Sequence, residues 1–291
     1  MGIAAAMLAA LLVANPTPQP LIHGASGGAI FNGRSVDIPR TLDRLQRAHV
    51  TTYLYEIYGG HADRQWSELP TFLDAAAQRG ISVMAYLLPP DESGGNYPPF
   101  GFDYPQWATQ LAELSLTHPA LTGFAIDDFS ENVGVFTPTY ARQIVEAARA
   151  QNPQFQFWPI FYYRDLVGEH AVMRKFNASI FTGVIFPFRD EPAYDTSVSK
   201  TAPAQIKRVR QSLKPYQRLA VMVYARHYSR QGNKGNPNPD YVGAVTQDAL
   251  AMGASGYDDG AVIYDLNLTG QDDAYSLTGD YDRIEGIYGN V

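Results

Sequence analysis

The run Gly123-Phe124-Ala125-Ile126-Asp127-Asp128-Phe129-Ser130 passes from apolar residues straight into two adjacent carboxylates. The apolar part reads as a buried strand, and free charge at such a strand end is costly. Like charges side by side also repel, so at least one of the two should hold its proton unusually tightly. That is the profile of an acid/base pair. A helix-capping Asp with a solvated neighbour is the plainer alternative. Strand alternation points Ala125 and Asp127 to one face, with Phe124 and Ile126 on the other. Asp128 opens the following loop, where the chain can turn it toward the same pocket.

Such a pair needs elements to hold it. Strand-like and helix-like segments alternate from about residue 21 onward. Eight short apolar runs read as strands: Leu21–Gly24, Thr51–Ile57, Ile81–Leu88, Leu121–Asp127, Gln156–Tyr162, Ile180–Phe186, Leu219–Ala225 and Ala261–Leu266. Runs apolar on both faces belong to parallel sheets covered by helices. Between them, helical spacing puts Ile38, Leu42 and Leu45 on one face, and likewise Trp107, Leu111, Leu114 and Ile206, Val209, Leu213. Thr137-Pro138 and Asn238-Pro239 each set a capping residue before a proline at a helix start. Eight β-α units in 291 residues predict a single-domain (β/α)8 barrel spanning residues 20–291. A doubly wound open sheet is the runner-up, with only His23-Gly24-Ala25-Ser26-Gly27-Gly28 to suggest its Gly-rich turn.

The loops favour the barrel. Helix-to-strand connections are short, whereas Pro89–Phe102, Asp128–Phe136, Pro187–Thr201 and Arg226–Asn238 are long. All of the expansion falls at the C-terminal ends of the strands, where barrel enzymes build their sites. Other strand ends should converge there with the Asp pair. Glu56 and Asp265 are the further candidate catalytic carboxylates. His23, Tyr55, Tyr86, Tyr162, Arg189, Tyr224, Arg226, His227 and Tyr264 are the candidate substrate-binding groups. Each has a bland reading, such as an Asp265–Arg226 ion pair, but a ring of carboxylates, tyrosines and arginines is hard to explain as packing.

Composition narrows the chemistry. The net charge is -7 and no long basic run appears, so no nucleic-acid partner is expected. The chain has no cysteine, which removes disulfides, zinc-thiolate sites and thiol nucleophiles. Its 19 Tyr, 14 Phe and 3 Trp supply flat faces with polar tips, suited to sugar rings. No predicted strand carries a Schiff-base lysine, no Gly-x-Ser-x-Gly elbow is present, and His23 lacks a paired metal-binding His. No cofactor and no metal are expected. Glycosidic bond cleavage, by contrast, needs an acid and a second carboxylate or substrate group, which Asp127, Asp128, Glu56 and Asp265 can supply.

The segment Gly-Phe-Ala-Ile-Asp-Asp-Phe resembles the fourth-strand motif of barrel glycoside hydrolases. The adjacent Asp-Asp is most similar to glycoside hydrolase family 84, the retaining β-N-acetylglucosaminidases. The resemblance covers about eight of the 291 residues. It implies that Asp127 orients an acetamido group and that Asp128 is the general acid of a substrate-assisted reaction. That family's Gly-Phe-Tyr-Gly segment after the first strand is missing; His23–Gly28 stands there instead.

The expectation is therefore a glycoside hydrolase acting on an oligo- or polysaccharide, as a monomer. A non-catalytic carbohydrate-binding barrel is one alternative. A metal-dependent hydrolase using Asp127, Asp128 and His227 is another. Residues 3–14 form an apolar stretch too short to span a bilayer, followed by proline-rich Asn15–Pro20. Residues 1–19 thus read as a secretory signal and spacer, although the usual basic start is missing. A helix packed on the barrel is the alternative there. No later segment is apolar enough to cross a membrane. The loops Pro89–Phe102, with Tyr97, Phe100 and Phe102, and Arg226–Asn238, with Arg226, His227, Arg230 and Lys234, should border the cleft. The second forms a local positive patch that could take an acidic or phosphorylated sugar.

Overall fold

A computed structural model of the chain describes residues 20–92, 98–176, 180–227, 236–270, 277 and 279–291. Residues 1–19, Tyr97, Arg230 and Lys234 lie outside the described residues. Eight strands form one parallel sheet: β1 (Ile22–Gly27), β2 (Thr52–Ile57), β3 (Ser82–Leu87), β4 (Leu121–Ile126), β5 (Gln156–Pro159), β6 (Gly183–Pro187), β7 (Arg218–Tyr224) and β8 (Gly260–Tyr264). Their order is β5-β4-β3-β2-β1-β8-β7-β6, and a bridge between Ile160 and Ile185 joins the two ends. The result is a nearly closed (β/α)8 barrel.

Around it lie α1 (Ile38–Arg47), α2 (Ala62–Ala77), α3 (Tyr104–Ser115), α4 (Pro138–Gln151), α5 (Tyr163–Leu166), α6 (Ala202–Ser212), α7 (Pro239–Ala254) and α8 (Asp280–Tyr288). Between β5 and β6 the usual long helix shrinks to the four-residue α5 and a 3-10 turn at Val172–Lys175. Asp37, Asp103, Thr137 and Asn238 cap α1, α3, α4 and α7 by accepting a backbone N–H three residues on. A proline opens each of these helices, where its missing N–H costs nothing.

Period-two alternation sorts the strand side chains into two cores. Leu54, Met84, Tyr86, Ala125, Trp158, Ile185, Met222 and Val262 fill the barrel interior. Tyr53, Tyr55, Phe124, Ile126, Val221 and Ile263 face the helices instead. Interior strands pack close where side chains vanish. A Cβ at Gly183 would meet the Trp158 ring at 2.6 Å, and one at Gly123 would meet the Gln156 carbonyl oxygen at 2.5 Å. Trp158 lies at the barrel floor, with the Arg218 guanidinium 5.2 Å from its ring centroid.

The first strand corrects the sequence-based boundary. β1 runs on to Gly27, three residues past the expected end at Gly24. Ala25-Ser26-Gly27 has weak strand propensity by itself, but β2 and β8 pair with it on both sides and supply the ladder. One consequence is that His23 sits near the start of the strand and not at its end.

Candidate active site

β4 delivers Asp127 to the mouth of the barrel. Its N–H still donates to the Leu87 carbonyl at 2.9 Å, so the residue is held in strand register while its side chain faces inward. Asp128 then takes φ of 39°, in the left-handed region that Asp tolerates better than most residues. This reversal has a visible cause on each side. Phe129 is wholly buried among Phe136, Phe157, Phe161, Phe176 and Phe181. The Asp128 N–H donates back to Asp127 Oδ1 at 2.8 Å. Between these two anchors the Asp128 carboxyl is turned toward the mouth, where it accepts the Tyr162 hydroxyl proton. Ser130 ties the same turn to the β5 loop, donating to Asp165 Oδ2 at 2.7 Å.

Tyr162 is itself positioned. The Arg189 guanidinium lies 3.8 Å over its ring and donates to Glu191 Oε1 at 3.2 Å. Glu191 Oε2 in turn accepts the Arg164 N–H at 3.1 Å. Tyr224, at the end of β7, hydrogen-bonds with Tyr162 and packs edge-on to Tyr264, ring centroids 5.6 Å apart.

Across the mouth, Asp265 follows β8 directly, with φ of 55°. β4 and β8 stand on opposite sides of the ring. Asp265 Oδ2 accepts from Arg226 at 3.1 Å. Gly27 makes room for it: a Cβ there would sit 3.3 Å from Asp265, and φ of +131° suits only glycine. Glu56 projects inward from the end of β2 and is 8% exposed.

These carboxyls act on one another. Burial, then the neighbouring Asp128 charge, pushes the Asp127 pKa up to about 8. The Tyr86 phenol and the Asp128 N–H pull it partly back. Burial and the charges of Asp265 and Asp127 raise Glu56 well above the carboxylate range. Glu92, at the solvent edge of the mouth, is also raised, by desolvation and by the charges of Asp127 and Asp128; its side chain hydrogen-bonds with Asp128. The Tyr86 hydroxyl is wholly buried beside Asp127, and burial with the Asp127 charge holds the phenol well above its ordinary range.

The strand ends thus bring together Asp127, Asp128, Glu56, Asp265, Tyr86, Tyr162, Arg189, Tyr224, Arg226 and Tyr264. His227 follows Arg226, half-buried, at the end of a described stretch. Two expected residues are elsewhere. His23 stacks on Tyr288 of α8, ring centroids 4.6 Å apart, at the opposite end of the barrel. Tyr55 faces outward onto Phe72 and donates to the Gln65 carbonyl at 3.1 Å, because Glu56 beside it takes the inward position. Phe100 packs edge-on to Trp107, ring centroids 4.8 Å apart. Arg226, expected in a positive patch, is paired to Asp265. Glu92 and Tyr58 are further groups at the mouth that nothing in the sequence pattern singles out. Glu92 lies on a loop expected to border the cleft, but loops have no periodicity to single out one residue. Tyr58, one position past β2, senses the charges of Glu56 and Asp265. Among the described residues, no group of three His, Asp or Glu is arranged to hold a metal ion, and no helix is long and apolar enough to cross a membrane.

No known family's sequence profile matches the chain, so the family 84 resemblance rests on its eight residues alone. No curated protein matches it in sequence either. Solved structures do match in fold. A β-glucuronidase from an uncultured Clostridium sp. superposes on 94% of this chain with a TM-score of 0.61 and 12% identity. This chain spans about half of that protein, 51%. A GH18 chitinase from Pseudoalteromonas aurantia covers 92% of this chain and is covered entirely, with a TM-score of 0.57 and 10% identity. Xylanase A from P. fluorescens subsp. cellulosa gives a TM-score of 0.59 at 14% identity, over 93% of this chain and 98% of that one. At such identities the likeness shows the fold: this chain has the (β/α)8 barrel on which these glycoside hydrolases are built.

Proposed function

We propose that the protein is a glycoside hydrolase that cleaves its substrate by carboxylate chemistry at the mouth of the barrel. The observation that carries this is the Asp127–Asp128 pair: one carboxyl buried with its pKa at about 8, its neighbour fixed by Tyr162, both opposite Asp265. A carboxyl protonated at neutral pH can donate to a glycosidic oxygen as the bond breaks. Asp127 takes that role here, the reverse of what the family 84 resemblance implies. Asp128 and Asp265 are then the carboxylates that face the cation-like centre. If the substrate carries an acetamido group, Asp128 is placed to orient it, which keeps a substrate-assisted route open. Neighbours named as a glucuronidase, a chitinase and a xylanase share the barrel and agree with this chemical class. The apolar stretch before Asn15 and the prolines after it support export from the cytoplasm.

The test is reducing-end release from a polysaccharide panel, then kinetics of Asp127→Asn and Asp128→Asn beside their melting curves. Both variants should fold, and turnover should fall by roughly a hundredfold or more. The wild-type rate should decline as pH rises through about 8, where Asp127 loses the proton it must donate. Binding without any bond cleavage across the panel would identify a carbohydrate-binding barrel instead.

A further inference from the structure

We propose that a groove on the outer wall of the barrel, beside the end of α6, is a second binding site, for a polysaccharide that carries carboxylate or sulfate groups. The choice of a glycan rests on the hydrolase reading; the groove itself stands apart from the mouth.

The fold leaves the groove open. Where a full helix would cover the wall between β5 and β6, the chain supplies only α5 and the 3-10 turn. A cavity of about 650 Å³ lies between that turn and the C-terminal end of α6. Leu166, Met173 and Phe176 form its apolar base, and Arg174, Lys214 and Tyr216 stand exposed around it. The turn that carries Tyr216 is braced. Pro215 presets its backbone. The Lys214 N–H donates to Gln217 Oε1 at 3.0 Å, and the Gln217 N–H returns to the Lys214 carbonyl at 3.0 Å. Arg210 donates to the carbonyls of Lys214 and Gln217. The ring at the tip is nonetheless 62% exposed. A flat face already held in place loses little freedom when a ligand covers it.

The charge around the groove is one-sided. No Asp or Glu occurs from Thr196 to Pro239, a stretch with nine Lys and Arg in a chain of net charge -7. Of the elements that line the groove, α5, the 3-10 turn and α6 bring one carboxylate, Asp165, which is matched by Ser130 and Arg164. The loop before the 3-10 turn adds only Glu169 against Arg174 and Lys175. Asn177, Ala178 and Ser179, which follow Phe176 outside the described stretches, are uncharged. The acidic residues outside those stretches are Asp272 and Asp273; their flanking Gly270 and Leu277 stand by α1 and α8, across the ring from β5 and β6.

Two cations over an apolar base suit a ligand of sparse charge. A nucleic-acid strand carries a phosphate about every 3.4 Å and needs a track of cations to follow it. An acidic polysaccharide spaces its charges a sugar ring apart and offers C–H faces to Tyr216. Its carboxylate or sulfate can take paired N–H donors from Arg174.

Native gels of the full chain containing polygalacturonate, chondroitin sulfate or no polymer test this. At least one acidic polymer should retard the protein. Arg174→Gln with Lys214→Gln should weaken that binding roughly tenfold, the scale of two exposed ion pairs, and Tyr216→Ala severalfold. Arg34→Gln with Arg64→Gln removes the same charge from the other side of the ring and should leave the binding unchanged. All of these side chains are exposed, so every variant should melt with the wild type. No retardation by either polymer overturns the inference, as does an equal loss in the Arg34, Arg64 control. Tighter binding of oligo(dT) through Arg174 and Lys214 overturns it in favour of a nucleic acid. The outcome is separate from that of the hydrolase reading. Glycan cleavage without binding at the groove sinks the inference alone, and binding at the groove with no glycan cleaved sinks the hydrolase reading alone.

Discussion

Two of the three Asp-Asp pairs in the sequence stand at opposite ends of the barrel. Asp127-Asp128 follows β4 at the C-terminal mouth, and Asp258-Asp259 precedes β8 at the floor. In each pair the first residue is buried and its pKa is pushed up to about 8, mainly by desolvation. The second residues differ. Asp259 is consumed by structure: it accepts from Arg218 at 2.8 Å and from the Leu219 N–H at 2.7 Å, tying β7 to β8. Asp128 accepts from a tyrosine that itself stands in the mouth, and shares a hydrogen bond with Glu92. A raised pKa alone therefore does not mark a site. What marks it is the end of the strand at which the group sits, and whether its neighbours face open space.

The comparison can be broken at either end. The largest stability effect should come from Asp259→Ala, which leaves the Leu219 N–H and the Arg218 guanidinium unmatched. It should cost about 1–3 kcal/mol in denaturant melts, with the turnover of the folded fraction unchanged. A fall in turnover without a loss of stability would place the floor in the reaction. Tyr162→Phe should do the opposite. It removes the hydroxyl that fixes Asp128, so kcat should fall about tenfold. Its melting temperature should hold within a degree or two, because the Arg189 stack on the ring survives.

A smaller effect ties the two pairs together. A carboxyl whose folded pKa is raised binds its proton more tightly folded than unfolded. Its favourable contribution is complete at low pH and is lost as pH rises from the ordinary Asp range through about 8. Asp127→Asn and Asp258→Asn should therefore each gain stability relative to wild type above pH 8. A gain of ~1 kcal/mol would appear as about 2–4 °C in melting temperature for a domain of this size. No gain in either would mean that both carboxylates are accommodated as charges. Smallest of all, deleting residues 1–19 should leave the melting temperature unchanged. A loss of several degrees would make that segment part of the fold.

Much of this arrangement is legible in the sequence because the barrel writes it in repeats. Eight apolar runs, capped prolines and one-sided loop growth specify the architecture, and β4 specifies Asp127 and Asp128 by their abrupt arrival. The misreadings have local causes. β1 hides its last turn in Ala25-Ser26-Gly27, whose propensity is weak and whose strand character comes from its neighbours. That is why His23 was expected at the mouth. Tyr55 adjoins Glu56 in sequence, but period-two alternation sends adjacent residues to opposite faces. Glu92 depends on how a proline-rich loop folds back, which no periodicity encodes. Asp258-Asp259 resembles Asp127-Asp128 as a dipeptide and differs only in coming before its strand.

Turnover of Asp127→Asn beside Asp258→Asn on one cleaved glycan separates the two pairs most directly. Both substitutions remove a buried carboxyl with a pKa of about 8, and both keep its shape. Loss of roughly a hundredfold in Asp127→Asn, with Asp258→Asn at the wild-type rate, is the predicted result. Equal turnover in the two folded variants would contradict the assignment of the acid to the mouth of the barrel.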